Sequence, residues 1–178
     1  MSFYRWVPES VAAPPDPEVL AHRAVEQLDL RAIGLGVFPP TAEESPDSEP
    51  IVGWQLWMWA KDPSPSTVGP ISTSVSEAGF TVAATATLSG VDWDMGNGDV
   101  VHCGVGTKRV VGPAGVPNRK SPTCGYMYEQ QGIYTVTATS RWSVAWSGIG
   151  QAGVIELDLS ASGTMEVGEV QVVNVYDP

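Results

Sequence analysis

Apolar and polar residues alternate with period two over most of the second half of the chain. Phe80, Val82, Ala84, Ala86 and Leu88 point one way, and Thr81, Thr85, Thr87 and Ser89 point the other. The same pattern returns as Tyr134, Val136, Ala138, Trp142, Val144 and Trp146 against Thr135, Thr137, Thr139, Arg141 and Ser143. Ile155, Leu157 and Leu159 against Glu156, Asp158 and Ser160 repeat it. Period two with hydroxyls on the polar side describes antiparallel strands with one face in a core and one in water. Met165 to Val175 continues the series as a strand pair or a strand bulged around Gly168. Residues 51–59 differ, being apolar on both faces: Val52, Trp54, Leu56 and Met58 on one, Ile51, Trp57 and Trp59 on the other. A strand of that kind is covered on both sides.

The first fifty residues follow another pattern. Residues 1–15 read as an aromatic, Pro-rich extended arm. Asp16-Pro17-Glu18 then opens a helix over 17–28, with a capping acid, Pro in the first turn and a carboxylate favourable to the dipole. Leu20, Ala24 and Leu28 form one apolar stripe with Ala21 and Val25 beside it. Three turns do not stand alone in water, so this helix must dock. The expected surface is the Ile51, Trp57 and Trp59 face. Residues 30–38 read as a strand weakened by two glycines, and 39–50 as a solvated acidic loop. The expected organisation is an N-terminal extension over 1–50 and a β-sandwich over 51–178.

Composition narrows the class. The 19 glycines and 15 prolines favour turns and short strands. Nine basic residues against 20 acidic ones leave a net charge of −11, a field that repels nucleic acid and anionic lipid. No apolar run approaches the roughly 18 residues of a membrane helix. The opening Met1 to Pro8 lacks the basic-then-apolar pattern of a signal peptide, which leaves a cytosolic protein or a trimmed mature chain.

Residues 91–98, Val-Asp-Trp-Asp-Met-Gly-Asn-Gly, resemble the Trp-Asp-Phe-Gly-Asp-Gly signature of PKD (polycystic-kidney-disease-type) domains. The second PKD signature, with tyrosines before a Tyr-Thr-Val-Thr strand, is matched by Cys124-Gly-Tyr126-Met-Tyr128 and Gly132-Ile-Tyr134-Thr-Val-Thr137. Asn97 replaces an Asp, Cys124-Gly125 stands where a His is usual, and an insertion at 104–123 separates the halves. The resemblance covers about 75–146 and rests on Trp93, Asp94, Gly96, Asn97, Gly98, Tyr126, Tyr128 and Tyr134. It implies an immunoglobulin-like, PKD-like antiparallel sandwich with the helix packed on it. The wider pattern, from Trp57-Met58-Trp59 through Ser121-Pro-Thr-Cys124 to Gly168-Glu169-Val-Gln171 and Asn174, is similar to a group of actinobacterial exported proteins of uncharacterised function. That resemblance implies export and brings no catalytic residues.

Candidate chemistry is sparse. Gly104-Val-Gly106-Thr-Lys108-Arg109 lacks the spacing and the following helix of a phosphate-binding loop. Counted from Asp92, the sixth residue is Asn97 and the twelfth Cys103, so no EF-hand forms; either an irregular calcium loop is present, or Asp94 and Asn97 bond the turn backbone while Trp93 packs inward. Cys103 and Cys124 can bridge if adjacent strands pair there, with two free thiols or a zinc site as alternatives. His102 reads as a strand residue, since no Gly-x-Ser-x-Gly element accompanies either histidine. Trp142 and Trp146 lie on the core-facing side. Trp54, Trp57 and Trp59, with Trp6, are either packed or a platform for sugar rings or a protein. The expectation is a non-catalytic, extracytoplasmic binding or structural module, with no cofactor and no metal. Its partner is a cell-surface protein or, as the alternative, a cell-envelope glycan.

Overall fold

The computed structural model describes residues 13–110 and 117–170. Most of the N-terminal arm, Trp6 and the end of the last expected strand, 171–175, lie outside these residues. The elements run α1 (Pro17–Gln27), β1 (Gly34–Phe38), β2 (Leu56–Lys61), α2 (Pro65–Val68), β3 (Ile71–Glu77), β4 (Phe80–Asp94), β5 (Val100–Cys103), β6 (Gly125–Tyr126), β7 (Gly132–Gly148) and β8 (Gln151–Val167). The protein is mainly β. A small antiparallel sheet, β1-β2-β6, packs against a large one, β3-β4-β7-β8, in which β5 continues the β3 side along the end of β4.

The predicted helix forms where its caps place it. Asp16 Oδ1 accepts the Glu18 N–H at 2.9 Å, and Leu20, Ala21, Ala24 and Leu28 are buried. Its docking surface is not the expected one. α1 lies on Val82, Ala84, Ala86, Trp142, Val144 and Trp146 of the large sheet, away from Trp57 and Trp59. Strand length explains this. At about 3.3 Å per residue, the 15 residues of β4 and the 17 of β7 far outrun the 6 of β2. The small sheet therefore covers only part of one apolar face, and the helix covers the rest.

Two cores thus share one sheet face. The first holds Ile33, Val37, Leu56, Met58, Val91, Trp93, Met95, Val136, Ala138 and Met165 between the sheets. The second lies under α1. Between them on β7 sits Ser140, fully buried, whose Oγ accepts the Ile33 N–H at 3.1 Å where the chain passes from helix to β1. A bulge keeps β4 in phase with this face: Leu88 pairs with Trp142 and Gly90 with Arg141, leaving Ser89 over. Even-numbered residues point inward before the bulge and Val91, Trp93 and Met95 after it. Phe80, read as inward, is exposed at the strand tip.

The second face of β2 meets the described parts of the 104–123 insertion, through Arg109 and Arg119, rather than the helix. Ala60 N–H donates to the Val105 carbonyl at 2.7 Å, and Trp57 Nε1 donates to the Arg119 carbonyl at 2.7 Å. The Arg109 guanidinium stacks 4.6 Å from the Trp57 ring centre. β2 also begins later than the pattern implied, because Ile51 to Trp54 form a turn closed by Trp54 N–H to the Ile51 carbonyl.

The acidic loop is tied to β8 at Glu43, besides the Glu44–Lys61 ion pair and the Gly168 N–H to Pro50 carbonyl bond. Both Glu43 carboxylate oxygens accept the Thr164 N–H at 2.9 Å, and the Ala42 N–H donates to the Thr164 carbonyl. The backbone bond from Thr164 holds the Glu43 carboxyl down from 4.5 to about 2. A depressed carboxyl stabilises the fold above its unfolded value and loses that contribution as pH falls through its folded one. Acidification from about pH 4.5 to 2 should therefore release this clamp, and Glu43→Gln should remove that component of the acid titration. Because the group is exposed, the effect on stability should stay below about 1 kcal/mol.

Cys103 and Cys124 form a disulfide with Cα atoms 5.7 Å apart. They do not lie on adjacent paired strands, the condition under which a bridge was expected. Cys103 ends β5 of the large sheet and Cys124 precedes β6 of the small one, so the bridge staples the two layers. With the cysteines at a sequence separation of 21, loop closure in the unfolded chain corresponds to about 3 kcal/mol. Cys103→Ser with Cys124→Ser should lower unfolding free energy by about that amount, read by urea denaturation.

Candidate functional site

The segment after β4 turns sharply, and its own side chains make the turn. Asp94 Oδ1 accepts the Gly96 N–H at 2.8 Å, and Asn97 Oδ1 accepts the Asp99 N–H at 3.2 Å. The Met95 N–H closes the loop on the Asp99 carbonyl at 2.9 Å. Trp93, immediately before, is fully buried between the sheets. Gly96 has φ +77°, and a Cβ there would sit 2.7 Å from the Thr135 carbonyl oxygen. Gly96→Ala should thus cost about 2 kcal/mol or more from backbone strain and forced displacement of β7. Gly98→Ala, with φ +99° but open space around it, should cost less. Thermal melts of the two variants test the ranking.

Three tyrosines stack behind this turn. Tyr128 lies 4.4 Å from Tyr134 in a stacked pair and 5.0 Å from Tyr126 edge to face. The buried Tyr128 hydroxyl donates to the Met95 carbonyl at 2.8 Å, and burial pushes its phenol well above the ordinary range. The Tyr134 hydroxyl donates to the Gln130 carbonyl at 3.0 Å. Tyr126 points outward, donating to Asp99 and accepting from Asn97 Nδ2 at 2.8 Å. Burial and the Asp99 contact raise its pKa, so the phenol keeps its proton. All eight motif residues are thereby brought together at one end of the two sheets. A cleft of about 330 Å³ opens there, lined by Asn97, Asp99, Tyr126, Met127, Glu129 and Gln130. Glu129 and Gln130 carried no signal in the pattern, because only the fold sets the 126–130 segment beside the 94–99 turn.

Trp54, Trp57 and Trp59 do not form one platform, and Trp6 lies outside the described residues. Trp57 is buried at 7% exposure beneath Arg109 and the Arg119 carbonyl. Trp59 lies over Gly36, its partner on β1, and borders an apolar cavity of about 300 Å³ with Val68, Val105 and Lys108. Trp54 lines a separate small recess with Pro39 and Pro50. Trp142 is fully buried, and Trp146 is nearly so.

His102 stands on the open face of the large sheet. Its Nδ1 is 2.6 Å from Asp92 Oδ1, which also accepts from Arg141 Nη2 at 3.1 Å. Asp92 is therefore engaged away from the turn that holds Asp94, Asn97 and Asp99. Among the described residues, no hydroxyl or thiol is hydrogen-bonded to His102, and no three His, Cys, Asp or Glu side chains converge on a point. No helix among them is long and apolar enough to cross a membrane. Against protein-family models, curated proteins and solved structures, the chain matches none.

Proposed function

We propose that this chain is a non-catalytic binding module of the PKD-like, immunoglobulin-like type, working outside the cytoplasm in contact with a protein at the cell surface. The observation that carries the reading is the cleft at the motif end. Its walls, Asn97, Asp99, Tyr126, Met127, Glu129 and Gln130, combine hydrogen-bonding groups with a soft apolar residue on a rigid two-sheet frame. Asn97, Asp99 and Tyr126 are engaged with one another and with the turn, which makes them a fixed wall and leaves Met127, Glu129 and Gln130 as the groups that offer recognition chemistry. Support for the fold type comes from Trp93 packed between the sheets and the disulfide joining them. The Tyr134 hydroxyl bonding a carbonyl four residues upstream adds to it, as in the tyrosine corner of immunoglobulin-like domains. The disulfide also supports an oxidising compartment, in keeping with the resemblance to actinobacterial exported proteins. Fold type does not itself assign function.

A glycan-binding reading is favoured by one observation, the half-buried Trp59 bordering its apolar cavity. Retention of labelled protein on isolated cell envelopes separates the two. The protein-contact reading expects retention to vanish after protease treatment of the envelopes and to survive glycan hydrolysis. It also expects Glu129→Lys, at an exposed wall of the cleft, to weaken retention while the melting temperature holds. The opposite enzyme sensitivities would transfer the function to the Trp59 cavity, and an absence of retention would overturn both.

A further inference from the structure

The geometry points to the free edge of β8, residues 152–162, as a docking site for one extended segment of a partner protein. That segment carries basic residues on one face, alternating with apolar residues on the other. This deepens the protein-binding reading above and rests on it.

Register fixes how the edge faces. β7 and β8 pair without a shift from Gly132↔Val167 to Gly148↔Gln151. Near the end of β8, Thr164 turns both backbone groups away from β7, its N–H to Glu43 and its carbonyl to the Ala42 N–H. In an antiparallel ladder every second residue faces the same way. Ser162, Ser160, Asp158, Glu156, Val154 and Ala152 therefore also aim N–H and C=O outward. Among the described residues, no hydrogen bond meets those groups. Residues 42–43 cover one stretch of this edge, and among the described residues the rest stands as a template for an added strand.

Two rows of side chains say what that strand must carry. Ile155, Leu157 and Leu159 lie on the inner face, only partly covered by the core under α1. Glu156 and Asp158 lie exposed on the outer face. An added strand sends alternate side chains to the two faces. Apolar ones would extend the Ile155–Leu159 row, and the intervening ones would meet two carboxylates on a chain of net charge −11. Basic residues complement both the local and the overall field. A second copy of this chain fits worse. Twofold pairing of β8 in a register that uses most of the edge sets Glu156 and Asp158 against the same residues of the mate, and like charges opposite one another are unfavourable.

The test uses the full chain and a labelled peptide of about nine residues alternating Lys and Val, a length that suits one strand, read by fluorescence anisotropy at about 0.15 M salt. A control peptide of the same composition carries its lysines and valines in two blocks. The alternating peptide should bind at least about tenfold tighter than the block peptide. Ser160→Pro removes an outward N–H while sparing the β7 ladder, and should weaken binding by at least about tenfold. Glu156→Lys with Asp158→Lys should do the same through charge alone. Equal binding of the two peptides would reduce the effect to non-specific attraction and overturn the proposal. So would binding undiminished by both variants, or a parent dimer in sedimentation that Ser160→Pro dissolves. Envelope retention that persists without peptide binding would remove the edge and leave the module reading standing. Loss of retention by the parent itself would remove that reading as well.

Discussion

Truncating either of the two deepest indoles, Trp93→Ala or Trp142→Ala, should lower unfolding free energy by about 3–5 kcal/mol, the range for an aromatic removed from a packed core. Both residues have no exposed surface. They sit in different cores, Trp93 between the sheets and Trp142 under the helix. The double variant should therefore lose nearly the sum of the two, because the two clusters meet only through the partly buried Leu88 and well-separated sites add. Neither indole N–H has an acceptor among the described residues. Each ring thus buries a donor at some cost, and Trp→Phe at either site should be milder than the lost volume suggests, since it removes that unmet group. A Trp→Phe variant as damaging as Trp→Ala in urea denaturation would mean that the N–H is bonded in solution.

Leu20→Asp should cost more than about 3 kcal/mol, combining the loss of a buried leucine with the desolvation of a carboxylate. Leu20 is fully buried against the large sheet, and its neighbour Val19 is 48% exposed on the same helix. Val19→Asp therefore serves as the matched control and should be nearly neutral. The penalty is capped by undocking, because the helix can leave rather than bury the charge. Undocking would wet Trp142, Val144 and Trp146, so Leu20→Asp should also raise binding of a hydrophobic dye and red-shift tryptophan emission. The Arg23–Glu77 ion pair that ties the helix to β3 lies at the surface and contributes little by comparison. A Leu20→Asp protein with parental stability and no dye binding would show that the helix is dispensable to this core.

How far the chain could be read differs by kind of feature. The alternation along β7 placed Val136, Ala138, Trp142, Val144 and Trp146 inward correctly, because period two is a property of the extended backbone itself. The α1 stripe and its Asp16 cap were equally legible, being set by residues within one or two turns of each other. The turn chemistry of Asp94 and Asn97 was local too, and so was the inward position of Trp93. Along β4 the pattern could not show where the phase would change, since the bulge at Ser89 exists only relative to β7.

Partner choice was the part that sequence could not carry. α1 and the outer face of β2 each needed a cover, and matching them to each other was chemically sensible. The fold instead set the helix on the large sheet and the 104–123 insertion on Trp57. Apolar burial is non-directional, so it specifies that a stripe must be covered and leaves open by what. Strand lengths and sheet order, which are long-range quantities, made that choice. The same holds for the disulfide, which joins two sheets rather than two neighbouring strands. It holds again for the cleft, where Glu129 and Gln130 meet Asn97 and Asp99 only after the sheets have closed. The sequence by itself determined which faces are apolar and which turns are sharp, because those depend on neighbours along the chain. Tertiary structure alone decided which faces meet, because that depends on reach and register across the whole fold.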